Sequence, residues 1–242
     1  MTDGLPARVR VLLCDADDCL FPSERPAFEA SAEVTNRLLA THEVDVRFAP
    51  DELRRAGTGK NFRATATDLA ARFGFTMSPD ALESWVQEER RQVTAHLAAV
   101  LRPDPAVRAP VGELADRYGV AVVTSSALAR LDSCLHAAGL AEIFPPERRF
   151  SAEDSLPEPT SKPDPAVYAL AGAEIGVSGA DAVAVEDSVS GVRSATGAGF
   201  PTIGNLLFVP EAERRERGEA LLAAGATMLV HSWHDVRGLL DG

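Results

Sequence analysis

The chain has 242 residues, 45% of them hydrophobic, and a formal net charge of −12. This length suits one large α/β domain, or a core domain with a smaller domain inserted into it. The acidic balance, without a basic run, argues against proteins that bind nucleic acids or anionic membranes. No run approaches the ~20 apolar residues of a membrane span. The three cysteines lack paired spacing, and together with the absence of an apolar leader they predict reduced thiols in a cytoplasmic protein.

The first hundred residues predict one strand and then only helices. Residues 9–14, "VRVLLC", form a short apolar run followed by turn residues, which is typical of a buried strand. Helices are expected over 24–40 and 62–73, the second ended by Gly74. A further helix begins at Ser78 and Pro79 and ends before the sequence "RPDP".

From about residue 104 the pattern alternates between strands and helices. Strands are expected at 120–126, 148–154, 181–188, 201–208 and 227–232, and helices at 111–119, 129–140, 164–176 and 189–199. Alternation of this kind predicts βαβ units and a mostly parallel sheet. We therefore expect an α/β fold, with a doubly wound, Rossmann-like parallel sheet built from residues 1–21 and 104–242. Residues 22–103 form an inserted all-α domain.

Polar residues follow the predicted strands, at the edge where the carboxyl ends of parallel strands meet. They are Asp15 and Asp17 after the first strand, Thr124 to Ser126 after the second, Lys162 in a later loop, and Glu186 and Asp187. Four carboxylates away from water need more positive charge than one lysine carries. A Mg²⁺ ion supplies it, since it prefers hard oxygen ligands. Taken singly, Asp15 is equally typical of a turn, Thr124 of a helix cap and Lys162 of an exposed surface charge.

Four motifs in this order resemble those of the haloacid dehalogenase superfamily, and they span nearly the whole chain. They are "LLCDADDCLF", "VAVVTSS", "SKPDPAVYALA" and "VAVEDSVSGVRSATGAG". The inserted helices are similar to the cap domain of the subgroup that contains phosphoglycolate phosphatase and β-phosphoglucomutase. Two residues depart from the usual first motif, Asp18 in place of Gly and Cys19 in place of Thr or Val. These changes are expected to alter the loop.

The resemblance implies a role for each residue at the strand ends. Asp15 is the nucleophile that forms an aspartyl-phosphate, and Asp17 is the acid and base that serves the leaving group and the attacking water. The phosphate is held by Thr124, Ser125 and Lys162. The Mg²⁺ ligands are Asp15, Asp17 (through its backbone carbonyl), Glu186 and Asp187.

Asp17 favours phosphoryl transfer, because dehalogenases of this superfamily lack the second Asp of the first motif. Mutases of the β-phosphoglucomutase type carry a His about a dozen residues after the nucleophile, where this chain has Ala27. We therefore expect a phosphatase that hydrolyses a small phosphorylated metabolite. A phosphomutase, a signalling phospho-acceptor and a catalytically silent binding protein remain as alternatives. The expected partners include no nucleic acid and no membrane, and the expected assembly is a monomer or a small homo-oligomer.

The sequence "GTGKNF" at 57–62 lacks the spacing of a nucleotide-binding P-loop and does not follow a strand. In related enzymes a cap loop at this place contacts the substrate. Lys60 and Arg63 are therefore expected to be specificity residues, and an exposed basic turn is an equally good interpretation.

Overall fold

The structure, a computed structural model, describes residues 8–57 and 61–241. These residues form a six-stranded parallel sheet with the order β3-β2-β1-β4-β5-β6. The strands are β1 (Val11–Cys14), β2 (Gly119–Thr124), β3 (Arg149–Ser151), β4 (Ala182–Glu186), β5 (Thr202–Asn205) and β6 (Met228–Val230). This is the order of a doubly wound Rossmann-like sheet, so the predicted fold class is confirmed.

The described part of the chain contains ten α-helices. They are α1 (Glu24–Thr41), α2 (Pro50–Gly57), α3 (Phe62–Phe73), α4 (Pro79–Val100), α5 (Pro105–Ala115), α6 (Leu128–Ala137), α7 (Ala166–Ile175), α8 (Val189–Gly197), α9 (Arg214–Ala224) and α10 (Trp233–Asp241). No helix among residues 8–57 and 61–241 has both the length and the apolar character needed to cross a membrane.

The chain divides into two compact units. The α/β unit comprises the chain up to Pro22 and from Arg102 onwards, and the helical unit comprises Ser23–Leu101. These limits lie one and two residues from the domain limits predicted from the sequence. That the helical unit serves as a cap stays a prediction.

Strand β1 lies at the centre of the sheet and is buried along its whole length. Leu12 and Leu13 point to opposite faces, because successive side chains of a strand alternate, and both are fully buried. Both faces of the sheet are therefore covered, which explains why a run of consecutive apolar residues forms this strand. On the Leu13 face, the core includes Tyr168 and Ala171 of α7 together with Phe200.

Two helices of the helical unit, α3 and α4, begin directly after capping residues. The Asn61 side chain accepts a hydrogen bond from the Ala64 amide at the start of α3, and the Ser78 hydroxyl accepts one from Ala81 at the start of α4. Gly74 ends α3 with a φ of 74°, in the left-handed region that glycine adopts without strain. The predicted helices of this segment are therefore present.

The structure differs from the expectation at Gly119, which was predicted to stop a helix. Helix α5 begins earlier, at the "RPDP" sequence, where the Asp104 side chain accepts a hydrogen bond from the Ala106 amide, and it ends at Ala115. Gly119 is the first residue of β2 and pairs with Val11. Pairing with β1 extends the strand back to this glycine, which is a tertiary effect that local pattern does not contain.

Candidate active site

The register of the sheet brings the polar strand ends together. Cys14 of β1 pairs with Val122 of β2 on one side and with Val185 of β4 on the other. The carboxyl ends of these parallel strands therefore reach the same edge of the sheet. Asp15 and Glu186 lie there one residue beyond these pairs, and both are buried.

The Lys162 ammonium lies at the centre of this edge. Its Nζ donates hydrogen bonds to Asp15 Oδ1 at 2.5 Å, to Glu186 Oε1 at 2.7 Å and to the Val123 carbonyl at 2.7 Å. The three donors of the ammonium thus face three acceptors. Only 5% of the Lys162 side chain is exposed. Burial alone would lower the pKa of Lys162, but Asp15 and Glu186 raise it above its ordinary value, which favours the charged ammonium.

Three buried carboxylates form a cluster here, and the ammonium contacts two of them, Asp15 and Glu186. Asp15, Glu186 and Asp187 each place one oxygen within 4.8 Å of the others. Burial, followed by repulsion from Glu186, raises the pKa of Asp15 well above its usual value, and burial with repulsion from Asp15 does the same at Asp187. A single ammonium does not balance three carboxylates. The donor set, hard oxygens in a buried and negatively charged cluster, therefore fits a divalent cation.

Glu186 is held in one orientation by groups that the sequence analysis missed. The Tyr168 hydroxyl, from the buried face of α7, donates a hydrogen bond to Glu186 Oε1 at 2.7 Å. On the other side, a Cβ at Gly191 would lie 1.8 Å from Glu186 Oε2, so only glycine leaves room for this carboxylate. The signal for Tyr168 was present, since a tyrosine on an apolar helix face needs a partner for its hydroxyl.

The Asp17 carboxylate faces the segment after β2. Its Oδ2 accepts a hydrogen bond from the Ser126 hydroxyl at 2.7 Å, and its Oδ1 lies 3.1 Å from Arg130 Nη2 on α6. Arg130 was not among the predicted residues. No spacing in the sequence indicates a pair of residues 113 positions apart.

Thr124 and Ser125 connect the loops at this edge. The buried Thr124 hydroxyl accepts a hydrogen bond from the Ser126 amide at 3.0 Å, and the Ser125 hydroxyl accepts one from the Lys162 amide at 3.1 Å. Both residues thus lie beside the carboxylates and Lys162. Their predicted role in holding phosphate stays a prediction.

The two departures in the first motif have structural counterparts. Asp18 has a φ of 54°, a left-handed conformation that Asp tolerates better than most residues other than glycine. Cys19 is buried, and its carbonyl accepts a hydrogen bond from Trp233 Nε1 at 2.9 Å. The loop therefore keeps a conformation suited to glycine, and it is tied to the last helix of the chain.

Two residues, Lys60 and Arg63, were predicted to determine substrate specificity. Lys60 lies outside the described residues. Arg63 is an exposed residue of α3 in the helical unit, where it forms an ion pair with Glu83. Their predicted role is untested by the geometry.

Comparisons with known proteins support the family that the motifs predict. The model of the haloacid dehalogenase-like hydrolases matches residues 9–199. A haloacid dehalogenase-like hydrolase domain-containing protein of Arabidopsis thaliana is 31% identical over 125 residues, which are 51% of this chain. The match spans 38% of the length of that relative.

Solved structures share the fold over nearly the whole chain. A predicted phosphoglycolate phosphatase of Haemophilus somnus superposes with a TM-score of 0.74 at 18% identity, covering 98% of this chain and 99% of the other. CbbY of Rhodobacter sphaeroides, solved in complex with phosphate, gives a TM-score of 0.73 at 24% identity, covering 97% and 100%. A HAD family hydrolase of Deinococcus radiodurans, with bound phosphate and sodium, gives 0.69 at 23%, covering 97% and 98%. With a family model that matches most of its length and four motifs gathered at one sheet edge, the chain belongs to the haloacid dehalogenase-like hydrolases.

Proposed function

We propose that the protein is a Mg²⁺-dependent phosphatase that hydrolyses a small phosphorylated metabolite through an aspartyl-phosphate on Asp15. The observation that carries the proposal is the contact of Lys162 Nζ with both Asp15 and Glu186 inside a buried cluster of three carboxylates. A structural ion pair would need one carboxylate for one ammonium. The excess negative charge is costly unless a cation binds there.

In the proposed reaction, a carboxylate oxygen of Asp15 attacks phosphorus and the bond to the leaving-group oxygen breaks. Lys162 stabilises the charge of the transferring group from one side. Asp17 donates a proton to the leaving oxygen, then takes a proton from the water that attacks the aspartyl-phosphate and restores Asp15. Thr124 and Ser125 bind the phosphate oxygens.

Asp15, Glu186, Asp187 and the Asp17 carbonyl would hold the metal ion. When bound, Mg²⁺ offsets the negative charge of the carboxylates and of the phosphate, so that two anions can approach each other. Tyr168 and Gly191 support this indirectly, because they restrict Glu186 to one orientation.

Hydrolysis is favoured over isomerisation by the residue at position 27. Ala27, in α1, has no group able to move a proton, whereas the mutases that this chain resembles carry a His near this position. Water is then the acceptor of the phosphoryl group. The bound phosphate in two structures with the same fold is compatible with a phosphate product.

The test is the release of inorganic phosphate by the purified protein from p-nitrophenyl phosphate and from a panel of phosphorylated metabolites. We expect many turnovers with Mg²⁺ and none with a chelator. Asp15→Asn is the control for contaminating phosphatases. Stoichiometric labelling without turnover would instead indicate a signalling phospho-acceptor, and conversion of one phosphorylated sugar to another without release would indicate a mutase. If the protein shows no reaction and no labelling, the proposal is overturned, and the protein is a catalytically silent binding protein.

A further inference from the structure

Asp17 is attached at both of its carboxylate oxygens to one short segment of the chain. Ser126 lies just after β2 and donates to Oδ2, while Arg130 lies in the first turn of α6 and contacts Oδ1. The Asp17 and Arg130 side chains are 32% and 25% exposed. The pair is thus neither a surface contact, which contributes little, nor part of the buried carboxylate cluster.

Two attachments to different oxygens restrict both rotations of a short side chain. A single contact would leave the carboxylate free to rotate about the remaining torsion, whereas a hydroxyl and a guanidinium on opposite oxygens define its plane. Arg130 suits this task, since its planar and permanently charged group keeps a fixed direction. Ser126 is itself held in place, because its amide donates a hydrogen bond to the Thr124 hydroxyl while its own hydroxyl donates to Asp17.

Orientation matters at Asp17 more than at any purely structural aspartate. In the proposed mechanism its carboxyl group serves two steps, at the leaving oxygen and at the attacking water. Misplacement by about 1 Å of a group of this kind costs up to ~10²-fold in rate. The residues that fix its plane therefore affect the rate without contacting the substrate.

We propose that Arg130 is a positioning residue that, with Ser126, orients Asp17 for proton transfer. The inference rests on the proposed phosphatase function. It differs from two other roles that an arginine at the edge of a site can have: direct contact with an anionic group of the substrate, and general support of α6.

The experiment is a double-mutant cycle with two substrates of different leaving group. The variants are Arg130→Gln, Asp17→Asn and the double variant, assayed on p-nitrophenyl phosphate, whose leaving group needs no proton, and on an alkyl phosphate, whose leaving group does. We expect Arg130→Gln to lower kcat by about 10–10²-fold on the alkyl phosphate and by less than about threefold on p-nitrophenyl phosphate. On the Asp17→Asn background it should have no further effect.

Two controls separate positioning from loss of structure. Arg130→Lys keeps a charge without the planar group and should restore part of the lost rate. Arg108→Gln removes another arginine of the same unit, one that donates a hydrogen bond to the Gly139 carbonyl. This variant should keep the wild-type rate on both substrates. Thermal unfolding of each variant reports whether the fold is kept.

The outcomes that overturn the inference are distinct. Equal losses on both substrates that add to those of Asp17→Asn would assign Arg130 a structural or substrate-binding role. An unchanged rate in Arg130→Gln, beside a selective loss in Asp17→Asn, would refute the role of Arg130 alone. A wild-type protein that releases no phosphate from any compound would refute the proposed function and, with it, this inference.

Discussion

The two units of the protein use charged side chains in opposite ways. In the α/β unit, burial raises the pKa of Asp15 and Asp187, so the folded protein resists their ionisation. In the helical unit, exposed Glu83 and half-buried Glu88 accept hydrogen bonds from neighbouring side chains, and the pKa of Glu88 is lowered to about 2, first by Arg91 and then by Arg37. These two acids have hydrogen-bonding partners that favour their charged form, whereas the buried cluster holds more carboxylates than cations.

This difference separates charges that have little effect on folding stability from buried charges that oppose folding. Exposed ion pairs contribute little to stability and are screened by salt. A buried cluster with more carboxylates than cations opposes folding unless a ligand compensates it. Substitutions in the cluster of Asp15, Glu186 and Asp187, or at Lys162, should therefore have large and ligand-dependent effects.

The largest effect is expected from Asp15→Asn. An amide does not form the aspartyl-phosphate, so turnover should fall by about 10⁴-fold or more. The variant should remain folded, since it removes one negative charge from a repulsive cluster. Phosphate release and circular dichroism are the measurements, and near wild-type turnover would show that Asp15 is not the nucleophile.

Lys162→Ala should be the next most damaging change. It removes the ammonium that contacts Asp15 and Glu186, and we expect kcat/KM to fall by about 10²–10³-fold for every substrate. Leaving the buried carboxylates without this partner should also cost about 3–5 kcal/mol of stability in metal-free protein. Chemical denaturation with and without Mg²⁺ tests this, and a loss confined to some substrates would argue against a role at the phosphoryl group.

The stability of the metal-free protein should depend on pH with the sign set by the buried cluster. Because the pKa values of Asp15 and Asp187 are raised on folding, the folded state holds protons that the unfolded chain releases above about pH 4. The free energy of unfolding should therefore fall as pH rises from about 4 through the raised pKa values. Saturating Mg²⁺ should remove this fall, since it favours the ionised carboxylates.

Thermal unfolding across this pH range, with chelator or with Mg²⁺, is the measurement. Glu88→Gln is the matched control from the helical unit and should leave the fall in place, because the lowered pKa of Glu88 acts only below its ordinary value of 4.5. Stability that rises with pH in metal-free protein would contradict the assignment of the raised pKa values.

Tyr168→Phe should have a smaller effect, on the affinity for Mg²⁺. The change removes only the hydroxyl that donates to Glu186, a bond to a charged group worth about 1.5–3 kcal/mol, and it should weaken Mg²⁺ affinity by about tenfold or more. Tyr118→Phe is the matched control, since the Tyr118 hydroxyl donates to the Leu240 carbonyl. Equal Mg²⁺ affinity in the two variants would show that Tyr168 is only a core residue.

Lys60→Ala and Arg63→Ala, in the helical unit, should have the smallest effect on activity when all substrates are considered together. As the resemblance to related enzymes implies, both should lower kcat/KM for the natural substrate through binding energy remote from the phosphate. Activity on p-nitrophenyl phosphate should stay within about twofold of wild type. Equal losses on both substrates would remove these residues from specificity, and no change on either would make them exposed surface charges.

The sequence by itself was enough for the fold class, the helical insert and the family. The limits of helices depend on local signals, which a sequence displays directly. Examples are the spacing of apolar residues, the capping residue Ser78 and the helix-ending Gly74. The four motifs were also readable, because each of them follows a predicted strand and the carboxyl ends of parallel strands share one edge.

Only the tertiary structure determined the partners within the site. Asp17 meets Arg130, and Glu186 meets Tyr168 and Gly191, through the packing of α6, α7 and α8 around the strand ends. The start of β2 at Gly119 likewise depends on pairing with β1. Contacts between residues far apart in the chain have no period or spacing that a sequence displays, since they arise from the distances and angles between elements that the assembled core imposes.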